Sequence, residues 1–423
     1  HTALANIVLT NRCDIKCWYC IPGDHEILIR KDGILSLVKL KDLERYASQW
    51  NIVEINGIKG EYSDVSQANI EVLSFINGKA TWVKVTKLFR RQYKGKVIEI
   101  TTKSGRKILL TPEHRVPIYL GSRKLKFKEA RTLNIGDHVL VIYKLPTTDK
   151  VIDKINLINE LRTLPKNIQE RIYVRGVCSI DYVINAIKAK YYNRSHYWRN
   201  NKILPLSVFY EYFNNLNDVD LKGCHLGLDA TKYQIPVIFE LSPAWGKLIG
   251  YFISDGNYSY KDMRITVGKD NIRSVITKLI SEIGLPHSML KAKGKVPQIV
   301  IGSRLFKIIS EHVFAIPPRS PHKRLPKYFL NLPMETKLAL LAGLINGDGF
   351  IECGPKHIRL GYATTSEGLV RDLIYLFASL GIFVRIKKWP KERFKLAKHD
   401  VYLILLRGKD LEKTISLIRE ILR

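Results

Sequence analysis

Two aspartates each end an apolar run and each precede a glycine. One run is Leu248-Ile249-Gly250-Tyr251-Phe252-Ile253-Ser254-Asp255-Gly256, the other Leu341-Ala342-Gly343-Leu344-Ile345-Asn346-Gly347-Asp348-Gly349. Two carboxylates brought together at helix C-termini repel each other and the helix dipoles unless a cation sits between them. Hard oxygen donors favour Mg²⁺ or a similar ion. Such an ion beside a basic surface suits phosphodiester hydrolysis: it polarises the phosphoryl oxygen, activates water and stabilises the leaving alkoxide. A second cluster is Cys13, Cys17 and Cys20, three of the six cysteines within the first twenty residues. Crowded thiols suggest metal binding or catalysis, whereas the scattered Cys178, Cys224 and Cys353 argue against a disulfide framework.

The aspartates can meet only if the helices bearing them approach backbone to backbone, which requires small side chains. Gly246 and Gly250 in one run, and Ala339, Ala342 and Gly343 in the other, supply them at helical spacing. The glycine after each aspartate is expected to take the left-handed conformation that stops a helix. From about Leu241 the chain repeats a helix ending in Asp-Gly, then strands, then a helix closing with Gly, at Gly284 and again at Gly381. The aspartates lie 93 positions apart, so a duplication into two similar, facing half-domains is expected. Upstream, Ile27 to about Ile142 reads as short alternating β runs separated by turn signals such as Asn77-Gly78 and Ser104-Gly105. From about Lys144 helical spacing takes over (Ile155, Leu157, Ile158, Leu161), followed by the basic, aromatic stretch Lys188 to Arg199.

The chain of 423 residues carries 69 Lys and Arg against 39 Asp and Glu, a net charge of +30. Charge of that size draws polyanions and favours fast, salt-sensitive association with nucleic acid. Heat-adapted surfaces usually balance Lys with Glu, and this one does not. No run reaches the roughly 18 apolar residues of a membrane helix, and no signal peptide pattern opens the chain. A soluble, monomeric, cytoplasmic protein with no membrane partner is expected.

The duplicated runs resemble the LAGLIDADG homing endonucleases. The second copy matches that pattern at seven of nine letters, departing at Asn346 and Gly347, and the first keeps Leu248, Gly250, Asp255 and Gly256. The resemblance implies a saddle of two β-sheets in the DNA major groove, with Asp255 and Asp348 as catalytic metal ligands and Mg²⁺ or Mn²⁺ as cofactor. It also places a basic residue near each active site, for which Lys323 in Pro321-His322-Lys323-Arg324 is the candidate. The second counterpart is expected at or past Arg423. Strands after each aspartate would contact DNA through Arg264 and Arg359, joined by Arg385, Lys387, Lys388 and Arg407.

The order Cys20-Ile21-Pro22-Gly23, then Thr111-Pro112-Glu113-His114, then Gly136-Asp137-His138-Val139 is similar to the N-terminal part of an intein splicing (Hint) domain. In that chemistry the Cys20 thiol turns the Tyr19–Cys20 peptide bond into a thioester. His114 passes a proton to the amide nitrogen and Thr111 hydrogen-bonds the tetrahedral intermediate, with no cofactor. Cys13, Cys17 and Cys20, spaced Cys-x₃-Cys-x₂-Cys, resemble the [4Fe–4S] loop of radical S-adenosylmethionine enzymes. No βα alternation follows, so the loop is expected to bind its cluster only in the spliced host.

The expected architecture is multidomain: an all-β Hint-type module plus an α+β LAGLIDADG endonuclease with two pseudo-symmetric αββαββα-like halves. Residues 1–19 are read as host segment, 20–145 as the N-terminal part of the splicing domain, and 146–238 as a helical linker or accessory DNA-recognition region. Residues 239–423 are read as the endonuclease, with repeats at about 239–333 and 334–423. The region Tyr191–Tyr212 has a helix-turn-helix look. The closing strand and His-Asn of a complete intein are not found, which leaves open a separate C-terminal piece as partner, a truncated chain or a broken gene; intein-less host DNA is the expected substrate. A radical enzyme and a DNA-binding protein with a dead nuclease are the competing readings.

Overall fold

The computed structural model describes residues 2–8, 21–55, 57–76, 79–121, 124–146, 150–177, 180–187, 190–213, 221–228, 231–354, 357–393 and 397–422. Cys13, Cys17, Cys20 and Cys178 lie outside them. The protein is mixed α/β with many small antiparallel sheets. No helix among the described residues is long and apolar enough to cross a membrane. Contacts divide the chain into two units. The first is His1–Val151 with Cys353–Leu360 and Val370–Lys413; the second is Ile152–Glu352 with Gly361–Leu369 and Thr414–Arg423.

In the first unit, the described residues from 21 to 132 form strands and 3-10 turns. Leu28 and Ile29 in Glu26–Lys31 and Leu35 in Ile34–Lys39 are buried, and the hairpin closes through Asp32 and Gly33, both with positive φ (50° and 81°). That pair of positive φ values matches the right-handed twist of the flanking strands. With Ile70–Ile76 and Lys79–Lys84 these strands make a four-stranded sheet over a core of Ile29, Leu43, Ile70, Val85 and Leu88. A five-stranded sheet contains Ile21–Pro22, Thr2–Val8, Lys87–Tyr93, Ile58–Asp64 and Asn51–Ile55 in that order. Two further hairpins follow: Ile98–Thr101 with Lys107–Leu110, and Arg115–Tyr119 with Leu125–Glu129.

Residues 152–238, read from sequence as helical, contain a four-stranded antiparallel sheet. Its order is Ile203–Pro205, Ile172–Arg175, His225–Leu228 and Gln234–Pro236, with short helices around it. Strands of three or four residues are too short to display a period of two. The helix-turn-helix reading also fails: between helices Tyr192–Asn201 and Leu206–Tyr212 lies the sheet strand Ile203–Pro205, not a turn.

The two aspartate helices are Pro243–Asp255 and Met334–Asp348. Ser242 caps the first by accepting from the Trp245 N–H, with Pro243 in the first turn. Each helix is followed by two strands, a helix, two strands and a helix. After Asp255 the sheet order is Gly256–Tyr258, Met263–Thr266, Gln298–Ile301, His287–Leu290. In the first unit, Cys353–Gly354 and His357–Leu360 end two strands of a sheet continued by Val401–Arg407 and Arg385–Trp389.

Gly256 and Gly349 do not take the expected left-handed conformation. Both are extended, at φ −94° and −77°. Glycine is needed there because a Cβ would lie 2.4 Å from the Phe252 carbonyl oxygen or 2.2 Å from that of Ile345. The chain passes straight from helix to strand.

Candidate active site

The aspartate helices cross at their glycines. A Cβ on Gly250 would lie 2.4 Å from the Leu340 carbonyl oxygen, and one on Gly343 would lie 2.2 Å from that of Lys247. Gly246 is similarly closed off by Thr336, whose carbonyl oxygen would be 2.7 Å away. Ala339 and Ala342 are buried in the same seam. With the axes this near, the two helix ends finish side by side. Gly347, next to Asp348, is close enough that its Cβ would sit 3.2 Å from a carboxylate oxygen of Asp255.

This neighbourhood loads both carboxylates. Asp348 is pushed up to about 6, first by burial and then by the Asp255 charge, with Lys323 opposing. Asp255 is also raised, by burial, again against Lys323. A carboxylate removed from water holds its proton more tightly, and a second negative charge adds to the effect.

Lys323 is buried, 3% exposed, and its ammonium donates to the carbonyl oxygens of Phe252 (2.9 Å) and Gly256 (2.8 Å) while lying over the Phe252 ring. It thus places a cation on the C-terminal carbonyls of the first aspartate helix, where the dipole is negative. Burial brings it down to about 8, with Asp348 and Asp255 favouring its charged form. Its own carbonyl accepts from Ser366 Oγ at 2.7 Å, and that hydroxyl also accepts from the Leu369 N–H. One serine therefore starts the Glu367–Ser379 helix and fixes the lysine.

Sequence reasoning missed Tyr362, Ser254 and Tyr251. Tyr362 is buried, shares a hydrogen bond with Ser254 Oγ (3.3 Å), and is raised by burial and by the charges of Asp348 and Asp255. Ser254 Oγ also donates to the Leu344 carbonyl oxygen (3.2 Å), and Asn346 donates to the Tyr251 hydroxyl (2.9 Å). Asn346 and Gly347 are the two departures from the nine-letter pattern, and each meets a polar residue of the facing helix. Among the described residues no group of three or more His, Cys, Asp or Glu is gathered for a metal.

The six basic residues expected on DNA-facing strands all stand on strands. Arg264 is tied to Asp262 at 2.8 Å and Lys388 to Asp400 at 2.6 Å. Lys387 and Arg407 are exposed, Lys387 lying over Trp389; Arg385 and Arg359 are half-buried.

Thr111 and His114 belong to the first unit, in a turn closed by the His114 N–H on the Thr111 carbonyl oxygen (3.0 Å). The turn is held from outside by the Ala130 N–H on the His114 carbonyl oxygen and the Arg131 N–H on that of Pro112. Thr111 is fully buried. Asp137 receives Lys128 at 2.9 Å and the Asn134 N–H, and the Tyr119 N–H bonds the His138 carbonyl oxygen.

Residues 23–402 match the family model described as the intein splicing domain. An uncharacterized protein of Methanocaldococcus jannaschii is 24% identical over 369 residues, covering 82% of this chain and 40% of that protein. The DNA polymerase II large subunit of Thermococcus kodakarensis is 25% identical over 350 residues, 78% of this chain and 18% of the subunit. The RNA polymerase subunit Rpo1C of M. jannaschii is 21% identical over 380 residues, 89% and 37%. The chain thus spans less than half the length of these relatives. Among solved structures, variants of the homing endonuclease I-DmoI match with TM-score 0.31 and 18% identity, over 43% of this chain and 96% of theirs. The N-terminal LAGLIDADG domain of WhiA matches with TM-score 0.30 and 14% identity, over 42% and 83%.

Proposed function

We propose, for a chain that belongs to the intein splicing domain family, that it joins peptide-bond rearrangement at Cys20 to site-specific, divalent-metal-dependent cleavage of duplex DNA by a LAGLIDADG-type nuclease. The single observation that carries the nuclease reading is the pairing of Asp255, exposed, with Asp348, half-buried, at the ends of two glycine-seamed helices, each holding its proton more tightly than usual.

A divalent cation fits these residues. The donors are hard carboxylate oxygens, and their raised proton affinity is the imbalance that a cation between them would relieve. When bound, it would polarise a phosphate oxygen and acidify water. Asp255 and Asp348 would hold it, with water and phosphate oxygens completing the shell. Lys323 acts as a positioning residue: its two hydrogen bonds fix the Phe252 and Gly256 carbonyls on either side of Asp255 and balance charge behind the carboxylates. The excess of Lys and Arg supplies the attraction for the DNA backbone.

At the other site, the Cys20 sulfur attacks the Tyr19 carbonyl carbon. The C–N bond to Cys20 breaks, a thioester forms, and the freed amine takes a proton delivered by His114, with Thr111 bonding the oxyanion. Supporting this is the Thr111–His114 turn, which three backbone hydrogen bonds hold. After splicing, Cys13 and Cys17 with a downstream cysteine would hold an iron–sulfur cluster in the host.

The test pairs two assays. A randomised duplex library is incubated with the full chain and Mg²⁺, and cut molecules are captured. Cleavage at one sequence, abolished by chelator and by Asp255→Asn or Asp348→Asn, is expected; a chain that cuts nothing sinks the nuclease reading. Dithiothreitol should release residues 1–19, and Cys20→Ala should prevent it.

A further inference from the structure

Val370–Lys413, read from sequence as part of the second repeat, falls with Cys353–Leu360 in the same unit as the N-terminal β module. The junction is specific. The hairpin Ile98–Thr101/Lys107–Leu110 turns through Thr102–Arg106, and the Ile386 N–H donates to the Ser104 carbonyl oxygen at 2.8 Å. Arg106 donates to the Val384 carbonyl oxygen at 3.0 Å, and its guanidinium lies over the Phe383 ring, 4.2 Å from the centroid. Gly105, at φ +81°, meets the same strand so closely that a Cβ would be 2.1 Å from the Ile386 carbonyl oxygen. Nearby, Arg371 pairs with Glu26 at 2.8 Å, the Leu145 N–H bonds the Ala378 carbonyl oxygen at 3.0 Å, and Tyr143 stacks on Phe383.

These contacts fall where a sheet edge would otherwise be open. Arg385–Trp389 is the outermost strand of its sheet, paired on one side with Val401–Arg407. An edge strand offers unpaired backbone groups and shifts easily in register and twist. The β turn fills that edge with a backbone bond and a flat, stacked guanidinium. The strand it pins carries Arg385 and Lys387 on one face and Lys388 on the other.

We infer that Gly105 and Arg106 of the splicing module are positioning residues for DNA seating, holding the Arg385–Trp389 strand in the register that presents Arg385 and Lys387, which share one face, to the duplex. The inference rests on the nuclease reading above. Loss of the Arg106 contacts would let the strand shift, weakening substrate binding without touching the carboxylates.

The experiment measures cleavage of the library-selected duplex by the full chain carrying Arg106→Ala, Arg106→Lys or Gly105→Ala, with Asp255→Asn alongside. Arg106→Ala should raise KM about tenfold, the size of one charge-assisted hydrogen bond, with kcat within about twofold. Arg106→Lys should restore only part, since an ammonium cannot lie flat on Phe383. Asp255→Asn should lose kcat instead. Should Arg106→Ala fail to fold, Phe383→Leu, which keeps apolar bulk but removes the ring, should show a smaller rise in KM. Wild-type KM in every foldable dock variant overturns the inference alone. Absence of cutting by the wild-type chain overturns the nuclease reading, and this inference with it.

Discussion

Gly347 faces Ser254 across the paired helices so tightly that a Cβ on the glycine would lie 2.4 Å from the serine Cβ and 3.2 Å from an Asp255 carboxylate oxygen. The backbone seam further down is tighter still. Gly343→Ala would force a methyl to within 2.2 Å of the Lys247 carbonyl oxygen, and neither backbone can yield. It should destabilise the protein by about 1–3 kcal/mol in denaturant melts. Gly302→Ala, with nothing within 4 Å, should melt like wild type. Equal melts for the two variants would contradict the close crossing.

The carboxylate pair gives stability a pH signature. Asp348 binds its proton more tightly folded (about 6) than at its ordinary 3.8, so between those values the folded state holds more protons. Stability is therefore expected to fall as pH rises from about 4 to 6 in metal-free buffer. Asp348→Asn should flatten that slope, leaving only the part that Asp255 contributes, and stabilise the metal-free protein at neutral pH by roughly 2 kcal/mol. Saturating Mg²⁺ should remove the difference. A flat metal-free profile in the wild type would mean that the aspartate is not loaded.

Cleavage should show the complementary dependence. Asp348 must shed its proton to bind a cation, so the rate should climb through about pH 6. Lys323, brought down to about 8, should lose its charge above that and give a falling limb. Lys323→Met should lower kcat about a hundredfold and erase the alkaline limb. An unchanged kcat in that variant would remove the lysine from the mechanism.

Two lysines adjacent in sequence should differ in their contribution to DNA binding. Both are exposed, but Lys388 pairs with Asp400 at 2.6 Å and faces the other side of the strand from Lys387. Lys387→Ala should reduce the salt slope of duplex binding by about one, and Lys388→Ala by less. Binding titrations across salt concentrations decide it; equal slopes would discount the ion pair.

The aspartate helices were legible because their signals are local: a repeated Asp-Gly, small residues at helical spacing, apolar runs of adequate length. Lys323 could be named from its neighbours in the chain, but its two carbonyl acceptors depend on a fold-back over 67 and 71 residues. Asp-Gly commonly marks a left-handed stop, which is not the conformation of Gly256 and Gly349; the carbonyl oxygens they must clear belong to their own helices. Tyr362 was invisible because it sits on a strand with nothing in its neighbours to mark it. The sheet within residues 152–238 was hidden by strands of three and four residues. The attachment of Val370–Lys413 to the β module left no trace in periodicity at all, since backbone carbonyls and two arginines, Arg106 and Arg371, make most of it.

That attachment bears on how such a gene could change. Cutting out the segment 370–413 would leave Arg106 with no ring beneath it, uncover Leu145, which is now 3% exposed, and strip Glu26 of Arg371. A shortened descendant would need replacements at these points before its remaining half could fold cleanly. Loss of the proposed cutting activity by point mutation at an aspartate is the easier path, so decayed versions should keep the whole scaffold long after any such chemistry has gone.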